Sequence, residues 1–148
     1  MTEVEIKADD GCTRIQVLGY ERAEFVDESD GDWLRCFVDI EILPFKGGVE
    51  ASFEVQDFSQ LCENLETIYK NLDGEALFAP IEGALSLKFA MKGRGEMTID
   101  GEANPAFPSH VALRFGLHSD QTILKEVVGS LKAVMRQYPS RRKAIPKG

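Results

Sequence analysis

The chain has 148 residues and a net charge of −8, and 43% of its residues are hydrophobic and 28% are charged. These proportions are typical of a globular protein and argue against disorder. The sequence has no apolar run near the ~18 residues that span a bilayer, and its polar N-terminus has no signal-peptide pattern. We therefore expect a cytoplasmic protein with no membrane partner.

The acidic residues are concentrated at the start of the chain. Residues 1–41 hold twelve acids and four bases, whereas residues 141–148 hold four bases and no acid. An acidic body repels phosphate groups, so nucleic-acid binding is not expected and a basic protein partner is favoured. We predict a single domain over residues 1–140, followed by a flexible basic tail over residues 141–148.

The first predicted elements are strands. The segment from Thr13 to Tyr20 is β-prone but alternates poorly, and it is a candidate strand. Residues 34–43 alternate apolar and polar side chains, which predicts a strand with one buried face. Pro44 would end this strand, and a Lys46-Gly47-Gly48 turn would lead into a second alternating strand over residues 49–55. The two strands predict a hairpin.

A helix is predicted after this hairpin. From Phe58 to Leu72 the apolar residues recur at steps of three and one, which forms a single helical stripe. Asp57 is expected to cap the helix, with Gln60 at the spacing of a capping box. Gly74 is expected to end the helix in the left-handed conformation.

The second half of the chain repeats this plan. Alternating residues predict a meander of three antiparallel strands, within residues 85–91, 97–99 and 111–117. A second helical stripe follows and ends at Tyr138, with Ser119 or Asp120 as its cap.

These elements predict an α+β fold in the form of a two-layer sandwich. About six strands would form one antiparallel sheet, and two helices, near residues 57–72 and 120–138, would pack on one of its faces. With the candidate first strand included, the chain contains a βββα unit twice. The other face of the sheet is expected to be wet; it carries Arg35, Asp39, Glu41, Glu50, Glu54, His110 and His118.

No pair of histidines or cysteines indicates a reactive site. His110 and His118 would share one strand face but would lie about 26 Å apart at ~3.3 Å per residue, so they cannot share a metal ion or a proton. Cys12, Cys36 and Cys62 form no CxxC pair. They are expected to be small buried hydrophobic residues in a reducing compartment.

Two further motifs are interpreted as turns. The acidic segment over residues 24–32 is rich in oxygen ligands but lacks the spacing of an EF-hand, so a solvated turn is favoured over a calcium site. Gly93 and Gly95 do not precede a helix, as a phosphate cradle requires, and they predict a hairpin turn. Since GxSxG and HExxH motifs are also missing, we expect no enzyme activity, no metal and no cofactor.

Short motifs made of caps, turns and core positions follow one another between residues 32 and 139. They are Asp32-Trp33-Leu34, Phe45-x-Gly47, the strand from Ala51 to Val55, Leu61, Leu65 and Tyr69 in the helix, Leu72-x-Gly74-x-Ala76-x-Phe78, Glu82-x-x-Leu85-x-Leu87, Gly95 and Gly101, Asp120-Gln121-Thr122-x-Leu124, and Tyr138-Pro139. In order and spacing these motifs resemble the WapI-type immunity protein family. The resemblance implies a non-enzymatic bacterial protein that binds and neutralises a toxin domain. The alternative is a small ligand-binding or oligomeric structural domain without catalytic activity.

The acidic segment is the first candidate for a partner-binding surface. Nuclease-type toxins need cationic clefts, so an acidic blocker would match them and associate faster through steering. Trp33 is interpreted either as an interface anchor or as a residue that holds the loop to the core edge. A solvated loop is the alternative for the acids, and a homodimer is left open. The candidate residues are Glu24, Asp27, Glu28, Asp30, Asp32 and Trp33. The wet sheet face, with Asp39, Glu41, Glu50 and Glu54, is a second candidate for the same role.

Overall fold

The computed structural model describes residues 2–22, 24, 31–106 and 110–141. Within these residues it contains eight strands and two helices, which confirms the α+β class. No helix of the described part is long and apolar enough to cross a membrane. The elements are β1 (Thr2–Lys7), β2 (Cys12–Tyr20), β3 (Trp33–Ile42), β4 (Phe45–Glu54), α1 (Val55–Asn71), β5 (Gly74–Phe78), β6 (Leu85–Lys92), β7 (Glu96–Ala103), β8 (Leu113–Asp120) and α2 (Thr122–Gln137).

The strands form two four-stranded antiparallel sheets, ordered β1-β2-β3-β4 and β5-β6-β7-β8. The prediction of one sheet of about six strands is therefore wrong, and the repeated unit is ββββα rather than βββα. The two strands that the sequence analysis missed are β1 and β5, the first strand of each sheet. Each buries only two hydrophobic side chains, Val4 and Ile6 in β1 and Ala76 and Phe78 in β5, which is a short alternating signal.

The helices connect the two sheets. α1 contacts α2 and β5, and α2 contacts β1, so each helix packs against the first strand of the other unit. Buried side chains of both sheets and both helices form one continuous hydrophobic core. Three aromatic rings join the units: Phe53 of β4 lies 5.1 Å from Phe78 of β5 and 6.0 Å from Phe58 of α1, measured between ring centroids. This shared core fixes how the two units, and the surface residues that they carry, lie relative to each other.

The hairpin between β3 and β4 turns at Leu43 and Pro44, since Ile42 pairs with Phe45. The predicted Lys46-Gly47-Gly48 turn is therefore wrong, and both glycines lie inside β4. Gly48 is required there for space, because a Cβ at this position would lie 2.6 Å from Cζ of Phe37. A glycine inside a strand can mark such a close approach as readily as a turn.

The ends of α1 also differ from the prediction. Glu54 is the N-cap residue, and its backbone N–H donates to Oδ2 of Asp57 at 2.8 Å. Asp57 is thus the third helical residue in a capping box and not the cap itself. At the other end, Leu72 takes the left-handed conformation with φ 54°, whereas Gly74 begins β5.

In the second unit, the last strand and the helix begin a few residues later than predicted. β8 begins at Leu113, so His110 lies outside the strand and is not on its exposed face as predicted. α2 begins at Thr122, and the side chain of Asp120 accepts a hydrogen bond from the Thr122 backbone N–H at 2.9 Å. His118 lies in β8 as expected, and its Nδ1 is 2.9 Å from Oδ2 of Asp10.

Candidate protein-binding surface

Asp32 is buried, with 3% of its surface exposed, and its side chain is engaged inside the protein. Its carboxylate accepts hydrogen bonds from Oγ of Ser140 at 2.5 Å and from the backbone N–H of Arg141 at 2.6 Å. Its carbonyl oxygen accepts from the N–H of Val55, the first residue of α1. Asp32 therefore ties the start of β3 to the end of the chain, a contact that sequence reasoning missed.

Arg141, which the sequence analysis placed in a flexible tail, is held at several points. Its Nε donates to the carbonyl of Gly31 and its Nη2 to the carbonyl of Arg22, both at 2.8 Å. Its guanidinium lies 3.7 Å from the centroid of the Tyr20 ring, a cation–π geometry. The Tyr20 hydroxyl in turn donates to the carbonyl of Pro139 at 2.6 Å. Residues 142–148 lie outside the described residues.

Glu24 is exposed at the surface. Asp27, Glu28 and Asp30 lie outside the described residues. The structure therefore shows where the acidic segment begins and ends, at Glu24 and at the buried Asp32. The hypothesis that the segment receives a partner stays a prediction.

Trp33, Asp39 and Glu41 all lie in β3 with their side chains half-buried. On the outer face of the first sheet, Asp39 is aligned with Arg14 of β2, and Glu41 is aligned with Lys46 of β4. Nζ of Lys46 lies 3.9 Å from Oε2 of Glu41. Since bases stand beside both acids, this part of the face is of mixed charge rather than acidic.

A groove lies between the first sheet and two loops of the second unit. Its volume is about 750 Å³. One wall comes from β2, β3 and β4, and the other comes from the β5–β6 loop and the segment after β7. Its apolar lining is made of Leu18, Cys36, Phe37, Ala51, Gly83, Ala84, Pro105 and Ala106.

The charged groups of the groove are three glutamates and one arginine. Glu21, Glu50 and Glu82 line it together with Arg35, and all four are exposed. The Glu21 carboxylate accepts a hydrogen bond from Oγ of Ser52, which holds it at the groove wall. A smaller cavity of about 290 Å³ shares Glu21, Ser52 and Glu82 and is also lined by Arg22 and Trp33. The groove thus has apolar walls, an acidic rim and a tryptophan at one end.

Sequence reasoning missed Glu21 and Glu82 as site residues, whereas it named Glu50 on the wet sheet face as part of a second candidate surface for the partner. Glu21 follows β2, Glu50 lies in β4 and Glu82 lies in the β5–β6 loop. These three glutamates come close together because of how the two units pack. No local sequence pattern predicts that packing. The local pattern that bears on the groove is the alternation of β3 and β4, because these two strands pair and place Arg35 opposite Ser52.

The described residues offer little reactive chemistry. Among them, no group of three or more histidine, cysteine, aspartate or glutamate side chains is placed to hold a metal ion. Burial raises the pKa of the Cys36 thiol to about 12 and that of the Cys62 thiol to about 11, so both stay protonated at neutral pH. Cys36 and Cys62 are buried as predicted, whereas Cys12 is half-buried.

Comparison with known protein families finds a match over most of the chain. The family model described as the immunity protein WapI-like family matches residues 5–139 of the chain. This range includes the second half of β1 and all of β2, which precede the motifs of residues 32–139. A comparison with curated proteins finds no match.

Proposed function

The chain belongs to the WapI-like immunity protein family, and we propose that it is a non-enzymatic immunity protein that binds and neutralises a bacterial toxin domain. The observation that supports a binding role is the groove. Its apolar walls fit the aliphatic part of a long basic side chain, and the carboxylates of Glu21, Glu50 and Glu82 fit its charged end. The partner is therefore proposed to be a basic protein.

Electrostatic attraction would act mainly on the rate of association. Charges at the rim of an interface steer a partner of opposite sign, and salt weakens this effect. The same acidic surface disfavours nucleic acid, because phosphates are repelled. The protein is proposed to act in the cytoplasm, where its toxin would act, and to need no cofactor.

The acidic segment is proposed to supply further steering charges. These are Glu24, Asp27, Glu28 and Asp30, whereas Asp32 is buried and its carboxylate accepts hydrogen bonds from Ser140 and Arg141. Asp39 and Glu41 rank second as partner contacts, since Arg14 and Lys46 stand beside them. We also keep the proposal of one domain over residues 1–140, with any free tail starting after the anchored Arg141.

The direct test uses a toxin protein encoded next to this chain. Co-expression with the chain should restore growth to cells that produce the toxin domain, and the purified pair should form a stoichiometric complex in calorimetry. If the chain neither protects cells nor binds that toxin domain or any other encoded beside relatives of the chain, the proposed function is wrong.

The groove is tested with the double variant Glu21→Gln/Glu82→Gln. We expect association with the toxin domain to slow by about three- to tenfold at low salt and to lose part of its salt dependence. Glu63→Gln/Glu126→Gln, on exposed faces of α1 and α2, removes the same charge and should change the rate less. An equal effect of both variants would mean that net charge matters and that the groove is not the interface.

A small-ligand function is the alternative that one observation favours. The groove volume of about 750 Å³ lies within the ~300–1,000 Å³ usual for small-molecule sites. Native mass spectrometry of the purified protein separates the two functions. A small molecule that co-purifies stoichiometrically and is lost in a Glu21→Gln/Glu82→Gln variant would favour the alternative.

A further inference from the structure

The outer edge of the first sheet differs from the other strands at sheet edges. β4 pairs with β3 on one side, and in the described part of the chain no strand pairs with its other side. By contrast, β1 packs extensively on α2 and β5 on α1, whereas β4 has few contacts with α1, the helix that follows it in the chain. In β8, the carbonyl of His118 accepts a hydrogen bond from the backbone N–H of Asp9. The edge of β4 is thus available for further backbone pairing.

The first part of this edge is also exposed. Residues 45–48 are exposed, and Phe45 leaves 67% of its surface open. β4 contains no proline, and such an edge is a template for another strand. Lys46 is a charged residue of the kind that hinders pairing at an edge, so a strand that pairs here must offset its charge.

We propose that the occupant is a second copy of this chain, whose β4 pairs antiparallel with the first about a two-fold axis at Gly48. In this register Lys46 of each copy stands opposite Glu50 of the other. Two pairs of opposite charge form at once, and the residue at the axis has no side chain to clash. The result is a continuous eight-stranded sheet with both cores on the same side, because paired residues in an antiparallel sheet share a face.

The apolar side of the same register is also complementary. Phe45 of each copy would lie beside Ala51 of the other, and Val49 would lie beside Gly47. A large side chain thus meets a small one at each position, and the exposed Phe45 becomes covered. Cross-strand neighbours of this kind are the unit of sheet stabilisation.

Other registers satisfy the charges less well. With the axis at Glu50, Lys46 would face Glu54, whose side chain already caps α1. The two Glu50 side chains would also face each other at the axis, which is unfavourable in an antiparallel pair. With the axis at Val49, Lys46 would face Ser52 and gain no charged partner. The order of residues in β4 therefore selects Gly48 as the centre.

The test uses charge reversal and its rescue. Lys46→Glu places Glu opposite Glu50 in both pairs, and Glu50→Lys places Lys opposite Lys46. We expect the full-length wild-type chain to dimerise weakly in sedimentation equilibrium between ~10 µM and ~1 mM, as suits a small interface. Each single variant should raise the dissociation constant by about tenfold, and the double variant Lys46→Glu/Glu50→Lys should restore it.

The control variant is Lys88→Glu on the outer face of the second sheet. It also reverses one exposed lysine that lies beside an acid, Glu75 at 3.5 Å, and it should leave dimerisation unchanged. A wild-type chain that stays monomeric up to ~1 mM would overturn the proposal. So would single variants that dimerise normally, or a double variant that is not rescued. The groove variants leave Lys46 and Glu50 intact, so they test toxin binding without changing the dimer register. Glu50 also lines the groove, and Lys46→Glu is therefore the variant that tests dimerisation apart from toxin binding.

Discussion

The two ββββα units of this protein have the same order of elements but different charge. Residues 1–71, the first unit, hold seventeen acids and six bases, which gives a net charge of −11. Residues 72–141, the second unit, hold eight acids and eight bases and are neutral. The groove lies mainly on the first unit, which contributes Glu21 and Glu50 and receives Glu82 from the second.

The comparison separates what the fold requires from what it does not. A neutral unit forms the same antiparallel meander and helix as the acidic one, so the excess of acids is not needed for folding. Mutual repulsion makes such an excess slightly unfavourable for the folded state. The acidic character of the first unit is therefore better explained by a partner than by stability, in line with the proposed function.

The largest effect of a substitution on stability is expected in the apolar stripes of the two helices, where the two units are equivalent. Leu65 of α1 and Leu131 of α2 are both fully buried. Leu65→Ala and Leu131→Ala should each lower the free energy of unfolding by about 2–5 kcal/mol, because each leaves a cavity in the shared core. Chemical denaturation measures both values.

A control for this pair lies on β5. Leu77 leaves 59% of its surface exposed, and Leu77→Ala should cost less than about 1 kcal/mol. Similar large losses for both buried leucines would support one cooperative core. A loss below about 1 kcal/mol for one of them would mean that its helix is not part of that core.

A smaller effect on stability is expected at Asp32, which joins the first unit to the end of the chain through hydrogen bonds. Asp32→Ala leaves the Ser140 hydroxyl and the Arg141 N–H without their acceptor and should cost about 1–3 kcal/mol. Asp32→Asn keeps one oxygen acceptor and should cost less. Amide hydrogen exchange at Arg141 should speed up in the alanine variant, and unchanged exchange there would show that Asp32 does not hold the chain end.

The parts of the fold that could be predicted are those with repeated local patterns. β3 and β6 each bury four alternating side chains, and both helices have long stripes. β1 and β5 were missed because each buries only two hydrophobic residues in a short strand. Since these two strands receive the helices of the opposite units, missing them concealed the division into two sheets.

The site was less predictable than the fold, for a physical reason. Charge composition indicated an acidic surface, but it could not show that Asp32 is buried against Ser140, which is 108 residues away in the sequence. The groove combines residues of β2, β4 and a loop of the second unit. Such contacts arise from packing between units, which local spacing does not encode.

The smallest effect on stability is expected at an exposed contact between the two units, the link formed by Asp10 before β2 and His118 in β8. Oδ1 of Asp10 accepts the backbone N–H of His118 at 2.9 Å, and Oδ2 lies 2.9 Å from Nδ1 of its ring. Hydrogen bonds with His118 lower the pKa of Asp10 from its ordinary value of 3.8. The side-chain bond with Asp10 likewise raises the pKa of His118 from 6.5.

These shifts define the pH range in which the link acts. The raised pKa of His118 stabilises the fold fully below pH 6.5, and this contribution is lost as pH rises through the folded value. The lowered pKa of Asp10 stabilises it above pH 3.8, and this is lost as pH falls through the folded value. Both contributions are therefore complete only between these two values, and they are small because solvent screens the exposed pair.

An NMR titration of the His118 ring measures the link directly. Asp10→Asn should lower the pKa of His118, because it removes the carboxylate that favours the charged ring. Asp9→Asn removes a neighbouring charge that acts only weakly on His118 and should shift the pKa much less. If both variants shift the His118 pKa equally, the ring senses the general acidity of the first unit and no specific link joins the two units at this point.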